Sequence, residues 1–301
     1  MNWLRNKKTS IVVHDGNFHP DDVFSVALLS IYFKDQIKVI RTRDEKVYST
    51  ADFVVDTGFI YDPSKNRFDH HQEGNAGFRN KDISYSAFGL VWKEYGEKVC
   101  GSKEVADIID KKLVAVVDAD DCGFDLHRSV INEAKPYSLL ETIYALRPTW
   151  REDNLNINDC FLNAVAFAKE ILVREIKATG DMVEAEKLVD EIYNNTLDKR
   201  IIIFEKYYLP KTLLCKYSEP LFVIHKNRVG EMWKAVSIEK FDGCYESRKN
   251  FPKSWWGKQK QDLAKVSGVA DAIFCRNGGI FAGAESQAGA IRLAEIAINS
   301  K

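Results

Sequence analysis

No apolar run in this chain approaches the roughly 20 residues that a membrane-spanning helix needs, so no transmembrane segment and no membrane partner are expected. Residues 1–10 carry basic side chains but no apolar core, and no secretory signal is read there. An excess of charge of one sign is also missing: 43 Lys and Arg stand against 44 Asp and Glu, a formal net charge of −1. Overall basicity therefore does not advertise a nucleic acid, and any such substrate would have to be met by a local patch. The six cysteines (Cys100, Cys122, Cys160, Cys215, Cys244 and Cys275) contain no C-x-x-C pair, which argues against a zinc ribbon. Scattered cysteines in a chain of this size read as reduced thiols, which suits the cytoplasm, with nucleus or mitochondrion as alternatives in a eukaryote. Internal repeats and low-complexity tracts are absent too. What remains is an ordinary globular composition, 45% apolar and 29% charged over 301 residues, long enough for two domains and a substantial core.

Apolar patterning places the elements. Ile11-Val12-Val13 reads as a buried strand ending at His14, followed by a helix that starts at Asp21-Asp22 and buries Val23, Phe24, Val26, Ala27, Leu28, Ile31 and Tyr32. Strands are expected over 38–42 and 53–55, the second ending at Asp56, and turn residues predict a hairpin over 61–68. Ser84 or Ser86 would cap a helix over 87–95, and Ser102 one running to Asp118. Helical periodicity resumes over about 158–193 with an interruption near Gly180. Ile201 would open a second domain with strands over 201–204, 221–224, 233–238 and 272–275, and helices over 261–266 and 289–298. The fold class predicted is α/β: an N-terminal, mostly parallel sheet domain over 1–200 including a helical connector, and a smaller C-terminal α/β domain over 201–301.

Four of the six histidines fall in two clusters. One is His14-Asp15-Gly16-Asn17-Phe18-His19-Pro20-Asp21-Asp22, the other Asp69-His70-His71. Val54-Val55-Asp56-Thr57-Gly58 lies between them and Val117-Asp118-Ala119-Asp120-Asp121 follows. Imidazoles with carboxylates suit divalent ions of the manganese, zinc and iron type, and an oxygen-rich set tilts toward manganese or magnesium. His14, His19, Asp21, Asp56, His70, His71 and Asp118 are more groups than one tetrahedral zinc uses. They suit two ions sharing a bridging carboxylate, the arrangement that activates water and neutralises a phosphate. Taken singly, each could be an ordinary hydrogen-bonded histidine or a helix cap. His127 and His225 lie outside the clusters and keep that plain reading.

These motifs resemble the DHH phosphoesterases, named for an Asp-His-His run such as Asp69-His70-His71. The MYG-type branch, metal-dependent exonucleases acting on RNA, matches more closely. Its pattern is met at 14–21, 39–44, 54–58, 61–63, 68–72, 117–121 and 147–150, and more weakly at 266–268 and 289–291. The resemblance implies a DHH-like first domain and a substrate-binding second one. It implies that His14, His19 and Asp56 hold one metal ion and that Asp21, Asp56, His70 and Asp118 hold another, with Asp56 bridging. Asp121 could replace or assist Asp118. His71 would face the scissile phosphate, and Asp69 would orient a histidine. The activity implied is 3′-5′ exonucleolytic hydrolysis of RNA or short oligonucleotides by metal-activated water, with two Mn²⁺ ions, or Mg²⁺.

Two departures stand out. A glycine-rich run that usually carries a His and an Arg toward substrate here holds Ala284 and Gln287 at those positions. Trp255-Trp256-Gly257-Lys258 lacks the Arg of a related segment. Gly278 and Gly279 could still bring backbone N–H groups to a phosphate, or could form an ordinary turn. Arg41 and Arg43 could contact phosphate or form structural salt bridges. Two rival functions follow: hydrolysis of a small phosphoester or pyrophosphate, and metal-stabilised nucleic-acid binding without catalysis. Oligomeric state stays open, homo-oligomer included.

Overall fold

A computed structural model describes residues 7–79, 83–127, 135–208, 213–229, 231–241, 243–244 and 246–300; of the stretch read for a leader, residues 1–6 lie outside them. The chain forms two compact units, residues 1–180 and 181–301. Among the described residues no helix is long and apolar enough to cross a membrane.

The first unit is organised by a five-stranded sheet in the order β2-β1-β3-β5-β4. Strand β1 (Thr9–Val13) buries Ile11, Val12 and Val13 completely. It pairs in parallel with β2 (Ile37–Arg41) on one side and β3 (Phe53–Val55) on the other. Strand β5 (Arg67–Phe68) continues the parallel set beside β3, and β4 (Tyr61–Asp62) closes the edge antiparallel. The α/β class and the mostly parallel N-terminal sheet are borne out, because buried parallel strands leave continuous apolar runs. The expected hairpin over 61–68 is also there. Asp62 caps a 3₁₀ turn over Pro63–Lys65 through Ser64 N–H at 3.2 Å, and Asn66 takes the left-handed conformation.

Helix α1 (Pro20–Tyr32) was expected to bury one face; it is buried all round from Pro20 to Ser30, between the sheet and α3 (Ala87–Cys100). Ser86 stands at the N-cap of α3, yet its hydroxyl does not cap: it donates to Asp118 Oδ1 at 2.6 Å. The single helix expected between Ser102 and Asp118 is three segments: α4 (Lys103–Ile109), a π-helical turn over Asp110–Val114, and α5 (Ala115–Asp121). Two short helices were not anticipated, α2 (Glu45–Tyr48), capped by Asp44, and α6 (Leu139–Ala145), started by a Ser138–Glu141 capping box. Helix α7 (Ile157–Asn195) runs through Gly180 without the expected interruption, and the boundary between the units falls within it.

The second unit has the strand order β6-β7-β8-β10-β9, with β6 (Ile201–Phe204), β7 (Phe222–Lys226), β8 (Trp233–Ser237), β9 (Ala272–Cys275) and β10 (Phe281–Ala284). Only β6 and β7 run parallel. Phe222, Ile224, Ala235, Ala282 and Ala284 form one core with α9 (Gln287–Asn299), and α8 (Lys260–Ser267) adds Leu263. The glycine-rich run was not expected to form a strand, yet it is β10. Gly283 lies so close to Met232 that a Cβ would meet its sulfur at 2.4 Å. Gly278 and Gly279 make the turn into β10 with φ of +91° and +67°, and a Cβ on Gly279 would meet Phe251 O at 2.8 Å. Positive φ at both favours glycine, and Gly279 N–H closes the turn on Arg276 O at 2.9 Å. Gln287 opens α9 and donates to Glu205 Oε1 at 3.0 Å.

Gly89 within α3 gives a test with a definite sign. Alanine is ordinarily better than glycine in a helix interior by about 1 kcal/mol. Here an added Cβ would lie 2.3 Å from Asp118 Oδ2. Gly89→Ala is therefore expected to destabilise, by roughly 1–3 kcal/mol, read as a lower unfolding midpoint in urea. An unchanged or higher midpoint would mean that Asp118 gives way at no cost.

Candidate metal centre

Three neighbouring parallel strands end together, and each delivers site residues at its carboxyl end, where open α/β sheets bind ligands. His14 follows β1, Asp56 follows β3, and Asp69, His70 and His71 follow β5. Asp21 and Asp22 come from the first turn of α1, whose N-terminal dipole favours carboxylates. Asp118 and Asp121 come from α5. Asp56 takes φ of +53°, a conformation costly for a residue with a Cβ and one that recurs at functional sites.

His14 Nδ1 lies 2.8 Å from Asp15 O and must donate to it. Its other nitrogen, Nε2, lies 3.2 Å from both Asp22 Oδ2 and Asp56 Oδ2. Two carboxylates thus face an atom that, in the neutral ring, offers only a lone pair. Such a set calls for a positive charge among its members. A proton can supply it: burial disfavours charge on His14, but Asp22 and Asp56 override this and push its pKa up to about 10. A metal ion can supply it as well.

On the other side of Asp56, His70 Nε2 lies 3.3 Å from Asp56 Oδ1, 3.4 Å from Asp121 Oδ2 and 3.8 Å from Asp21 Oδ2. Both oxygens of Asp21, Oδ2 of Asp22, Oδ1 of Asp56 and Nε2 of His70 are buried without a hydrogen-bond partner. Burial, with Asp56 and Asp121 close by, holds the Asp21 carboxyl well above the usual carboxylate range. Burial likewise lifts Asp121 to about 6 against the pull of His70. Buried carboxylates without donors are costly, and a cation relieves them. The residues present therefore fit divalent metal. Among the described residues three groups could hold one: His14, His19 and Asp56; Asp21, His70 and Asp121; and Asp56, Asp69, His70 and His71, with ligand atoms in each within 4.8 Å of one another. Asp56 belongs to two of them.

Asp69 does something else with its oxygens. It is fully buried and accepts from Phe59 N at 2.5 Å, His70 N at 2.7 Å, His71 N at 3.2 Å and His71 Nδ1 at 2.7 Å. With those bonds it fixes the turn and the ring of His71, and the hydrogen bond that His71 Nδ1 donates to Asp69 raises the His71 pKa.

Asp118, expected as a ligand, takes no part in the three groups. It sits on Arg79 Nε, Ser86 N and Ser86 Oγ, while Arg79 also grips Asp110 at 2.6 and 2.8 Å. The carboxylate beside His70 is that of Asp121. Arg41 is engaged structurally: it donates to Gly16 O at 2.8 Å and Asn158 Oδ1 at 3.2 Å, and its guanidinium lies over Phe161. Arg43 is exposed, 3.3 Å from Asp15 Oδ1, and lines the site's cavity of about 160 Å³ with His14, His19, Asp56, Phe59 and His71.

Sequence reasoning singled out neither Phe59 nor Arg147. Phe59 is 68% exposed, takes φ of +56°, and stands edge-on to His71 at 6.4 Å. Arg147 follows α6, stacks over Tyr144 at 4.4 Å, and has Nε and Nη2 buried without partners. The Arg147 charge, after burial, lowers the His19 pKa. The signal for Arg147 was its place in a matching segment; Phe59 left none.

Asp21 offers the sharpest test of charge burial. In protein stripped of metal with EDTA, Asp21→Asn is expected to raise the melting temperature, since an amide is cheaper to bury than a carboxylate facing Asp56 and Asp121. Added Mn²⁺ is expected to raise the melting temperature of the wild type and to raise that of the variant less. Thermal unfolding with and without Mn²⁺ checks both. A variant less stable than wild type in EDTA would contradict an uncompensated charge at Asp21.

The family described as Uncharacterised protein family (UPF0160), the MYG1 exonuclease family, matches residues 10–298. A MYG1 protein of Caenorhabditis elegans is 27% identical, over 96% of this chain and 95% of its own length. The MYG1 exonuclease of Homo sapiens is 28% identical, over 94% of this chain and 84% of its own length. That of Mus musculus is 27% identical, over 94% and 83%. With the family's pattern running from β1 to the last turns of α9, the chain belongs to the MYG1 exonuclease family.

Proposed function

We propose that this chain is a divalent-metal-dependent phosphodiester hydrolase that removes nucleotides from the 3′ end of RNA or short oligonucleotides, with Mn²⁺ as its metal. The observation that carries this reading is Asp56, buried between His14 on one oxygen and His70 on the other, amid carboxylates that lack donors. The names of the human and mouse relatives, both MYG1 exonucleases, support it. So does the DHH-like order of the motifs along the chain.

His14, His19 and Asp56 would hold one ion, and Asp21, Asp56, His70 and Asp121 the other. Asp118 would instead brace α5 and α3 from behind through Arg79 and Ser86. Bound divalent ions supply charge to neutralise a phosphate and lower the pKa of water. His71 holds Nδ1 on Asp69, so its Nε2 is the atom left for a substrate phosphate. Phe59, exposed beside His71 and pinned through its N–H by Asp69, gives a terminal base a face to stack on.

A second reading, hydrolysis of a small phosphoester or pyrophosphate, is favoured by one feature: the cavity at the site measures only about 160 Å³. Phe59 separates the two readings. Phe59→Ala is expected to raise KM for short RNA several-fold, in keeping with the ~1–3 kcal/mol of a base–aromatic stack, and to leave pyrophosphate turnover unchanged. Efficient pyrophosphate hydrolysis with no RNA cleavage would move the assignment to the second reading.

The main reading is tested with a 5′-labelled short RNA and Mn²⁺, with EDTA and His71→Ala as controls. A metal-dependent ladder shortening from the 3′ end is expected. Asp56→Ala should abolish cleavage and lower the number of bound ions together. Full cleavage by that variant would refute the bridging role, and an RNA untouched by metal-loaded wild type would refute the nuclease.

A further inference from the structure

The second unit has a cavity of its own, of about 300 Å³. Its floor is one face of the sheet. His225 pairs with Lys234, and Val236 is flanked by Val223 and Phe281, so these side chains stand together on adjacent strands. Their sequence neighbours Phe222, Ile224, Ala235 and Ala282 point to the other face, into the core shared with α9. Tyr207 and Arg228 line it as well.

Among the described residues no carboxylate lines this cavity. Its two cations lie against rings: the Arg228 guanidinium is 4.5 Å from the Tyr207 centroid, and the Lys234 ammonium 5.2 Å from that of Phe281. Lys226 beside them is already paired with Glu231 at 2.6 Å. His225, buried and edge-on to Tyr207 at 5.0 Å, donates from Nδ1 to Lys226 O at 3.0 Å, which leaves Nε2 as an acceptor. Burial, aided by Lys234, lowers its pKa and keeps the ring neutral. The cavity thus combines two cations with no acidic partner among the described residues, two aromatic faces and one buried hydrogen-bond acceptor. Its volume is at the lower end for ligand sites, about 300–1,000 Å³.

We propose that this cavity binds one nucleotide of a single-stranded RNA, with its phosphate against Lys234 and Arg228 and its base against Tyr207 and Phe281. A phosphate takes the two cations, and a base of any sequence stacks on the rings. His225 Nε2 accepts from an exocyclic amine or a ribose hydroxyl. The choice of RNA rests on the nuclease reading; the demand for an aromatic ring joined to an anion rests on the cavity alone.

The test is calorimetric titration of adenosine 5′-monophosphate into the full chain in EDTA, with adenosine and inorganic phosphate as separate arms. The expected result is that the nucleotide binds more tightly than either fragment. Lys234→Ala with Arg228→Ala should weaken it about tenfold or more, and Lys234→Arg should restore most of the loss. The double variant should hydrolyse bis(p-nitrophenyl) phosphate like wild type, with KM for short RNA raised and kcat kept, and its melting temperature shows that it folds. No nucleotide binding by wild type, or binding indifferent to both cations, would overturn the inference. Phosphate binding as tightly as the nucleotide would overturn the base-stacking half and leave an anion site. The two readings fail separately. Nucleotide binding through Lys234 in a protein that cleaves no RNA would sink the nuclease and keep the cavity; RNA cleavage with nucleotide binding that ignores Lys234 would do the reverse.

Discussion

The first unit is built around an electrostatic debt: carboxylates of Asp21, Asp22 and Asp56 held in a nearly dry interior with too few donors. Each lies at most 3% exposed. The fold places them there deliberately, at the convergence of strand ends and at the N-terminus of a helix, where partial positive charge softens the cost. His14 and His70 face Asp56 from its two sides, and a proton or a metal ion supplies the positive charge that the set calls for. Everything nearby can be read as support for that arrangement, from the left-handed Asp56 to the Arg79 clasp on Asp118.

Much of this was legible in the sequence. Parallel strands are buried on both faces, so their apolar runs stop abruptly, and the polar residue at each stop marked His14 and Asp56 as neighbours, while turn residues marked the hairpin that delivers Asp69. The choice between Asp118 and Asp121 was not legible. Both lie in α5, three positions apart along one helix surface. The π turn before them shifts the register that a regular helix would have given. Arg41 was equally opaque, because its partner Asn158 lies 117 positions away and nothing local announces it. β10 was hidden for another reason: its glycine and alanines are set by the closeness of Met232 and the α9 core, and small residues also spell a loop.

The two sheets use their exposed and buried faces differently. In the first unit chemistry sits at the strand ends, and the strand faces are given to the core. In the second, mostly antiparallel unit, one face is core while part of the other carries His225, Lys234 and Phe281. Antiparallel sheets permit this division, since successive side chains alternate between the two faces, and here the second face also packs Ile202, Phe204 and Val223.

The register of β1, β3 and β5 has a mechanical corollary. Adjacent strands lie about 4.8 Å apart because their backbones are hydrogen-bonded, and the residues that end them inherit that interval. Val12 faces Val54, and Val55 faces Phe68, so His14, Asp56 and Asp69 leave the sheet in step. The spacing of His14, Asp56 and Asp69 is thus ruled by the sheet. Widening it would mean stretching backbone hydrogen bonds between strands whose apolar residues are all buried, so the sheet works as a gauge on the size of whatever sits between those residues.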